Sequence, residues 1–223
     1  MTETTPNIWA GSPVWVEERS CWQFWHPSRN SHPAYAESPD GLNWERIPLE
    51  PITVNGSEPD KSFPIDLLYY NVLRDELEED PQKRYKGITR VGRHLISMVS
   101  PDSKNWTIVE GDKIPSGDQF KLSYDGIIRR FIATVKLNGK AGEGNYPVGE
   151  FSRAVSLSES EDMVHWTEPE LVFWADDVDV DLGKMRMEDA IQNPDRRIPE
   201  VIVHDHFYSD IYNMAVFDYE DIY

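Results

Sequence analysis

Cysteine is almost absent from this chain of 223 residues. Cys21 stands alone, so no internal disulfide can form and the fold owes nothing to an oxidising compartment. No apolar run approaches the ~20 residues that a membrane helix requires. The N-terminal MTETTPNIWAGSPVW has no basic segment leading into an apolar core. No secretory signal is visible, and a soluble, cytoplasmic protein is the default expectation. Positive charge is scarce, with 22 Lys and Arg against 40 Asp and Glu and a net charge of −18. A surface so acidic repels phosphate backbones and anionic lipid, which argues against nucleic-acid and membrane partners and leaves neutral or cationic ligands. Helical periodicity is nearly absent. Its best candidate, DELEEDPQKRY, is so rich in charge, with a proline inside, that it reads as a solvated loop or one short turn. The glycine-rich NGKAGEGNYPVGE is no phosphate loop, because it lacks the GK[S/T] ending and the helix that would follow.

Aromatic residues, by contrast, make up 12% of the chain, and one tryptophan-containing phrase recurs. SPDGLNW (Ser38 to Trp44), SPDSKNW (Ser100 to Trp106) and SEDMVHW (Ser160 to Trp166) share the pattern S-[P/E]-D-x-x-[N/H]-W, with tryptophans 62 and 60 residues apart. An even internal period of this length marks a repeat architecture. Each copy sits between short runs rich in Val, Ile, Tyr, Phe and Trp, such as RYKGITRVG and HLISMVS before the second copy and WTIVEG after it. Such runs read as strands. The phrase itself reads as a hairpin turn, in which Ser and Asp side chains bond nearby backbone amides and the Trp opens the next strand with a large face for packing between sheets. About four antiparallel strands in some 60 residues, recurring, describe a propeller blade rather than a solenoid repeat. The expected units are residues 14–49, 67–114 and 120–173, with a partial fourth at 204–223. Residues 175–200, long and polar, read as a surface loop or lid. The chain is therefore expected to be a single all-β propeller domain over 1–223, about three and a half blades. A closed ring needs at least four, so the domain reads as incomplete, with an open sheet edge near Asp218 to Tyr223.

The succession RYKGIT, DQFKLSYDGIIRRFIATVK, SRAVSLSESEDMVHWTEPELVF and SDIYNMAVFDYEDIY resembles the glycosyl-hydrolase-like five-bladed β-propellers, relatives of invertase, levansucrase and arabinanase. The likeness runs from Cys21 onward. The sialidase box S-x-D-x-G-x-x-W is one residue longer than the phrase here, which favours the invertase-like group. The resemblance implies a funnel on the propeller axis, lined by the first strand of each blade, where paired carboxylates would hydrolyse a glycosidic bond. Acids near those strands are Asp66 in FPIDLLYYN, Asp118 in SGDQFKLSYD and Asp210 in YSDIYNMAVF, the candidate catalytic set. Gln119, Arg153, His206 and Tyr212 are the candidate substrate-binding residues. The chain departs from the pattern in three ways: W-x-N-D-P is absent, no R-D-P or E-C pair is present, and Gly117 stands where an Asp two positions before Gln119 is expected.

Each of these residues also has a plain structural reading. Asp66, Asp118 and Asp210 could cap strand ends, as Asp often does in turns. Asp40, Asp102 and Asp162 recur with the hairpin and are structural, since a turn residue repeats where a catalytic one need not. His204 and His206, two apart, would share one face of a strand and suit a metal pair. A polar strand end is the preferred reading, so neither metal nor cofactor is expected. Tyr212 could stack on a sugar or sit in a core, and Arg153 could hold a ligand hydroxyl or a salt bridge within a blade. Two functions stay open: a glycoside hydrolase acting on a glycan, and a carbohydrate-binding or structural propeller without the chemistry.

Overall fold

The computed structural model describes residues 13–27, 33–47, 53–54, 65–117, 119–137, 153–195 and 211–216. Within them the chain forms three largely antiparallel sheets in sequence order. Sheet one is β1 (Val14–Val16), β2 (Cys21–Pro27), β3 (Pro33–Ser38) and β4 (Glu45–Ile47), paired in that order. Sheet two runs β6 (Ile65–Arg74), β7 (Tyr85–Val91), β8 (His94–Ser100) and β9 (Asn105–Ile108), and it is wider than four strands. The two-residue β5 (Thr53–Val54) adds in parallel to β9, and β10 (Ile114–Pro115) pairs with β8. Sheet three is β11 (Phe120–Asp125), β12 (Arg130–Leu137), β13 (Ala154–Ser160) and β14 (Glu170–Phe173).

The repeated phrase makes the same structure three times. The serine closes the third strand of its sheet, and its Oγ lies 3.0–3.2 Å from the aspartate Oδ1 in all three copies. The same Oδ1 accepts the next backbone amides but one and two, at 2.7–2.9 Å. Oδ2 meets the side chain of the sixth residue: Asn43 at 2.7 Å, Asn105 at 2.6 Å and His165 at 2.8 Å. The residue after the aspartate is left-handed each time, with φ of 74° at Gly41, 63° at Ser103 and 65° at Met163. Only the first copy places there the glycine that this conformation favours.

Consecutive sheets pack through apolar faces. Trp25 and Tyr35 of sheet one meet Val72, Tyr85, Met98 and Trp106 of sheet two. The opposite face of sheet two sends Ile88, Leu95 and Ile114 against Phe120, Phe131, Val135, Met163 and Trp166 of sheet three. Sheet two is thus buried on both sides, and Tyr85 to Thr89 along β7 are buried without interruption. Polar links cross the same seams. The Tyr85 hydroxyl lies 3.1 Å from Gln23 Oε1, and Trp166 Nε1 donates to Ser97 Oγ at 3.0 Å. Asp112 reaches the third hairpin from the loop after β9, its amide donating to Val164 O and its carboxylate accepting from the Trp166 amide.

One element corrects the sequence reading. Within residues 175–200, expected as a loop or lid, Asp177–Gln192 forms a helix, α1. Local interactions explain it. Asp176 accepts from the Val178 and Asp179 amides while Asp179 accepts from the Asp176 amide, a complete capping box, and acids in the first turn suit the helix dipole. Lys184 to Gln192 are mostly strong helix formers, and Pro194 follows the C-cap. None of its residues is buried, so no apolar stripe announces the helix in the sequence. DELEEDPQKRY forms one short 3-10 turn, Pro81–Lys83. Among the described residues no helix is long and apolar enough to cross a membrane. The sheet edge expected near Asp218 to Tyr223 lies outside the described residues.

Candidate functional site

β6 and β11 begin at the same end of their sheets, which we call the leading end; the three Ser–Asp hairpins occupy the other, hairpin end. Backbone pairing fixes the start of β11. The Gly117 amide donates to Lys136 O at 2.7 Å, and the Lys136 amide donates to Gln119 O at 2.9 Å. A side chain at position 117 would press on that strand, since a Cβ there would lie 2.9 Å from Lys136 O. Gln119 is consequently held at the mouth of sheet three, on the face turned away from sheet two, and its side chain is buried. Lys121 and Thr134, cross-strand partners, continue this face. Burial lowers the pKa of Lys121.

The segment 211–216 lies across that face. The Thr134 hydroxyl donates to Met214 O at 2.7 Å, and the Ile211 amide donates to Arg153 O at 3.4 Å. Asn213 Nδ2 reaches Gln119 Oε1 at 3.4 Å. The half-exposed Tyr212 ring lies between two cations, with Lys136 Nζ 4.3 Å and Arg153 Cζ 4.9 Å from its centroid. Cations at these distances are drawn to the ring's negative face. From sheet two, the buried Asn71 extends Nδ2 to Phe120 O at 3.4 Å. Three buried polar atoms at this end, Asn71 Oδ1, Ser116 Oγ and Gln119 Nε2, find no partner among the described residues. Buried polar atoms are nearly always paired, so each of these marks a point where water or a ligand would bond, Gln119 Nε2 on the outer face of sheet three and Asn71 Oδ1 on the side of sheet two that meets sheet three.

Gln119, Arg153 and Tyr212, expected from the sequence, therefore meet in one region. Asp66 lies at the leading end of β6, opposite Arg90, just before a register shift between Asp66 and Tyr70; its side chain is outside the described residues. Asp118, Asp210 and His206 also lie outside the described residues, as does His204. Sequence reasoning missed Asn71, Ser116, Lys136 and Asn213. The signal for Lys136 was available: a lysine inside the apolar run RFIATVKL must find a polar environment on an otherwise buried strand. Asn71 offered none, because Asn within a strand-forming run does not reveal which face it takes. Among the described residues no group of three His, Cys, Asp or Glu side chains could hold a metal ion.

No protein-family model and no curated protein matches the sequence. Solved structures do resemble the fold. A structure described as a glycoside hydrolase superposes with a TM-score of 0.50 at 11% identity, over 75% of this chain and 56% of that one. An N-acetylgalactosamine deacetylase from F. plautii, in complex with blood group B trisaccharide, gives 0.40 at 17% identity, over 77% and 56%. A β-fructofuranosidase from Schwanniomyces occidentalis complexed with fructosyl-erythritol gives 0.35 at 8%, over 76% and 48%. The likeness is one of fold, carried by the first of these, and the chain is similar to a glycoside hydrolase in that sense. It spans about half the length of these structures.

Proposed function

We propose that this chain is a glycoside-hydrolase-like protein that binds a glycan at the leading end and cleaves it there. Its three sheets, with the segment beginning near residue 204, are read as blades of a five-bladed β-propeller, the leading end facing the axial funnel. Asp118 and Asp210 are the proposed carboxylates of the reaction, with Asp66 at the rim. One carboxyl protonates the leaving oxygen and another acts as base or nucleophile on the opposite face of the sugar. Crowding raises the proton affinity of one of them, which is how a carboxyl serves as a general acid near neutral pH. Gln119, Arg153, Tyr212 and His206 hold the sugar.

The observation that supports this most directly is the meeting of Gln119, Arg153 and Tyr212, with the Gln119 amide nitrogen buried and unpartnered among the described residues. An aromatic face beside amide and cationic donors suits a sugar ring, which offers C–H groups to one and hydroxyls to the others. The test is hydrolysis of a panel of neutral glycans by the intact full-length protein. Asp118→Asn and Asp210→Asn should each lower the rate by ~100-fold or more, with the melting temperature nearly unchanged. Absence of the W-x-N-D-P phrase favours the second reading, a propeller that binds carbohydrate without cleaving it. Glycan binding without turnover, unchanged by both substitutions, would establish that reading instead.

A further inference from the structure

A second groove opens at the hairpin end between sheets two and three, with a volume of about 550 Å³. That is within the ~300–1,000 Å³ of small-molecule sites. β11 separates it from the leading end: Gln119 to Tyr124 is five residues, or ~17 Å of strand. None of its lining residues belongs to the site described above.

Val99, Val109 and Phe131 supply an apolar wall, and the Tyr124 ring packs on Phe131 with centroids 4.9 Å apart. Beside Val99, its cross-strand neighbour, stands the buried Lys86, ion-paired with Glu78 and with Asp75 at 3.9 Å. Three lining groups make no hydrogen bond or ion pair with any described residue: the Tyr124 hydroxyl, the Glu79 carboxylate and the Arg129 guanidinium. Arg129 is moreover held at φ 57°, a left-handed conformation that glycine would adopt without strain.

The lining decides the class of ligand. Five carboxylates against three cations oppose an anion, and no metal-binding group is present among the described residues. What remains is donors and acceptors of both signs beside an aromatic ring and an aliphatic wall. We propose that this groove is a second binding site, for a neutral oligosaccharide. Hydroxyls of the sugar would bond Arg129, Glu79 and the Tyr124 hydroxyl, and its C–H face would meet the apolar wall. The choice of saccharide rests on the carbohydrate reading of the protein; the groove and its unspent polar groups do not.

The experiment titrates gluco-, manno-, xylo-, arabino- and fructo-oligosaccharides into the full chain, read by calorimetry and saturation-transfer NMR, with hexalysine as a cationic-peptide competitor. Arg129→Gly removes the guanidinium and relaxes the backbone, so a lost site cannot be blamed on misfolding. Tyr124→Phe removes the hydroxyl alone. Two sites are expected in the wild type. Each of these variants should weaken one of them roughly 5- to 10-fold, while Tyr212→Ala weakens only the other. Titrations of Arg129→Gly and Tyr124→Phe that superimpose on the wild type overturn the groove and leave the leading end intact. Hexalysine displacing the sugar from the Arg129-dependent site assigns the groove to a basic peptide and overturns the saccharide. Absence of all saccharide binding overturns it too, and glycan hydrolysis then judges the leading end separately.

Discussion

The three tryptophans of the repeat differ in what lies beneath and over them: sheet one covers Trp106 and sheet two covers Trp166, whereas no described sheet precedes sheet one to cover Trp44. Phe24, Gly87 and Ala133 stand at the same register position, two residues beyond the partner of the hairpin serine. Over Gly87 and Ala133 the tryptophans sink, and Trp106 and Trp166 are 1% and 8% exposed. Phe24 meets Trp44 edge-on at 5.6 Å, and Trp44 stays 37% exposed. A Cβ at Gly87 would lie 3.0 Å from the Trp106 ring, so that glycine exists to admit the indole. Gly111 is tighter still, since a Cβ there would stand 2.4 Å from Val164 O, in the loop that ties sheet two to the third hairpin. Gly111→Ala should therefore cost about 1–3 kcal/mol, read as a lower urea midpoint at unchanged slope. Stability equal to the wild type would mean the loop moves aside freely.

At the scale of the element, the hairpins are carboxylate-centred and their pH dependence follows. At Asp162 burial works against ionisation, but the His165 amide and ring, the Val164 amide and Ser160 outweigh it and hold the pKa down at about 2. Asp102 and Asp40 are lowered as well, Asp40 chiefly by the Asn43 amide. His165 is raised, chiefly by its hydrogen bond to Asp162. A depressed carboxyl stabilises the fold above its unfolded value of about 3.9 and loses that contribution as pH falls through the folded value. A raised histidine stabilises below its unfolded value of about 6.5 and loses the contribution as pH rises through its folded value. The third hairpin should then be most stable between about pH 4 and 6.5. Urea midpoints taken across pH should fall on both sides of that window. His165→Asn, which copies Asn43 and Asn105, should abolish the alkaline fall and leave the acid one. An alkaline fall that persists in this variant would place its origin elsewhere.

At the scale of the whole molecule, sheet two is the shared partner of both neighbours. Met98 and Leu95 lie on one strand, β8, yet Met98 belongs to the core with sheet one and Leu95 to the core with sheet three. Both are fully buried. Met98→Ala and Leu95→Ala should each cost about 2–5 kcal/mol, and each should shift one common unfolding transition, because neither seam can open without exposing sheet two. Tryptophan fluorescence and far-ultraviolet circular dichroism should trace the same curve. Two separated transitions would show that the sheets unfold one at a time, as loosely coupled repeats do.

The sequence by itself determined the repeat, the turn chemistry and the all-β class, because these rest on interactions within a few residues. A serine, an aspartate and the amides beyond them need nothing distant to find one another, and strand-forming runs declare themselves by composition. Tertiary structure decided what depends on registers far apart in the chain. Gln119 and Asn213 are 94 positions apart, and only the crossing of segment 211–216 over sheet three joins them. The helix Asp177–Gln192 escaped the sequence reading for the opposite reason: it is set by its caps and propensities, with no buried face to impose a period on its apolar residues. The groove beside Tyr124 was equally invisible, since it exists only where two separately formed sheets fail to fill the space between them.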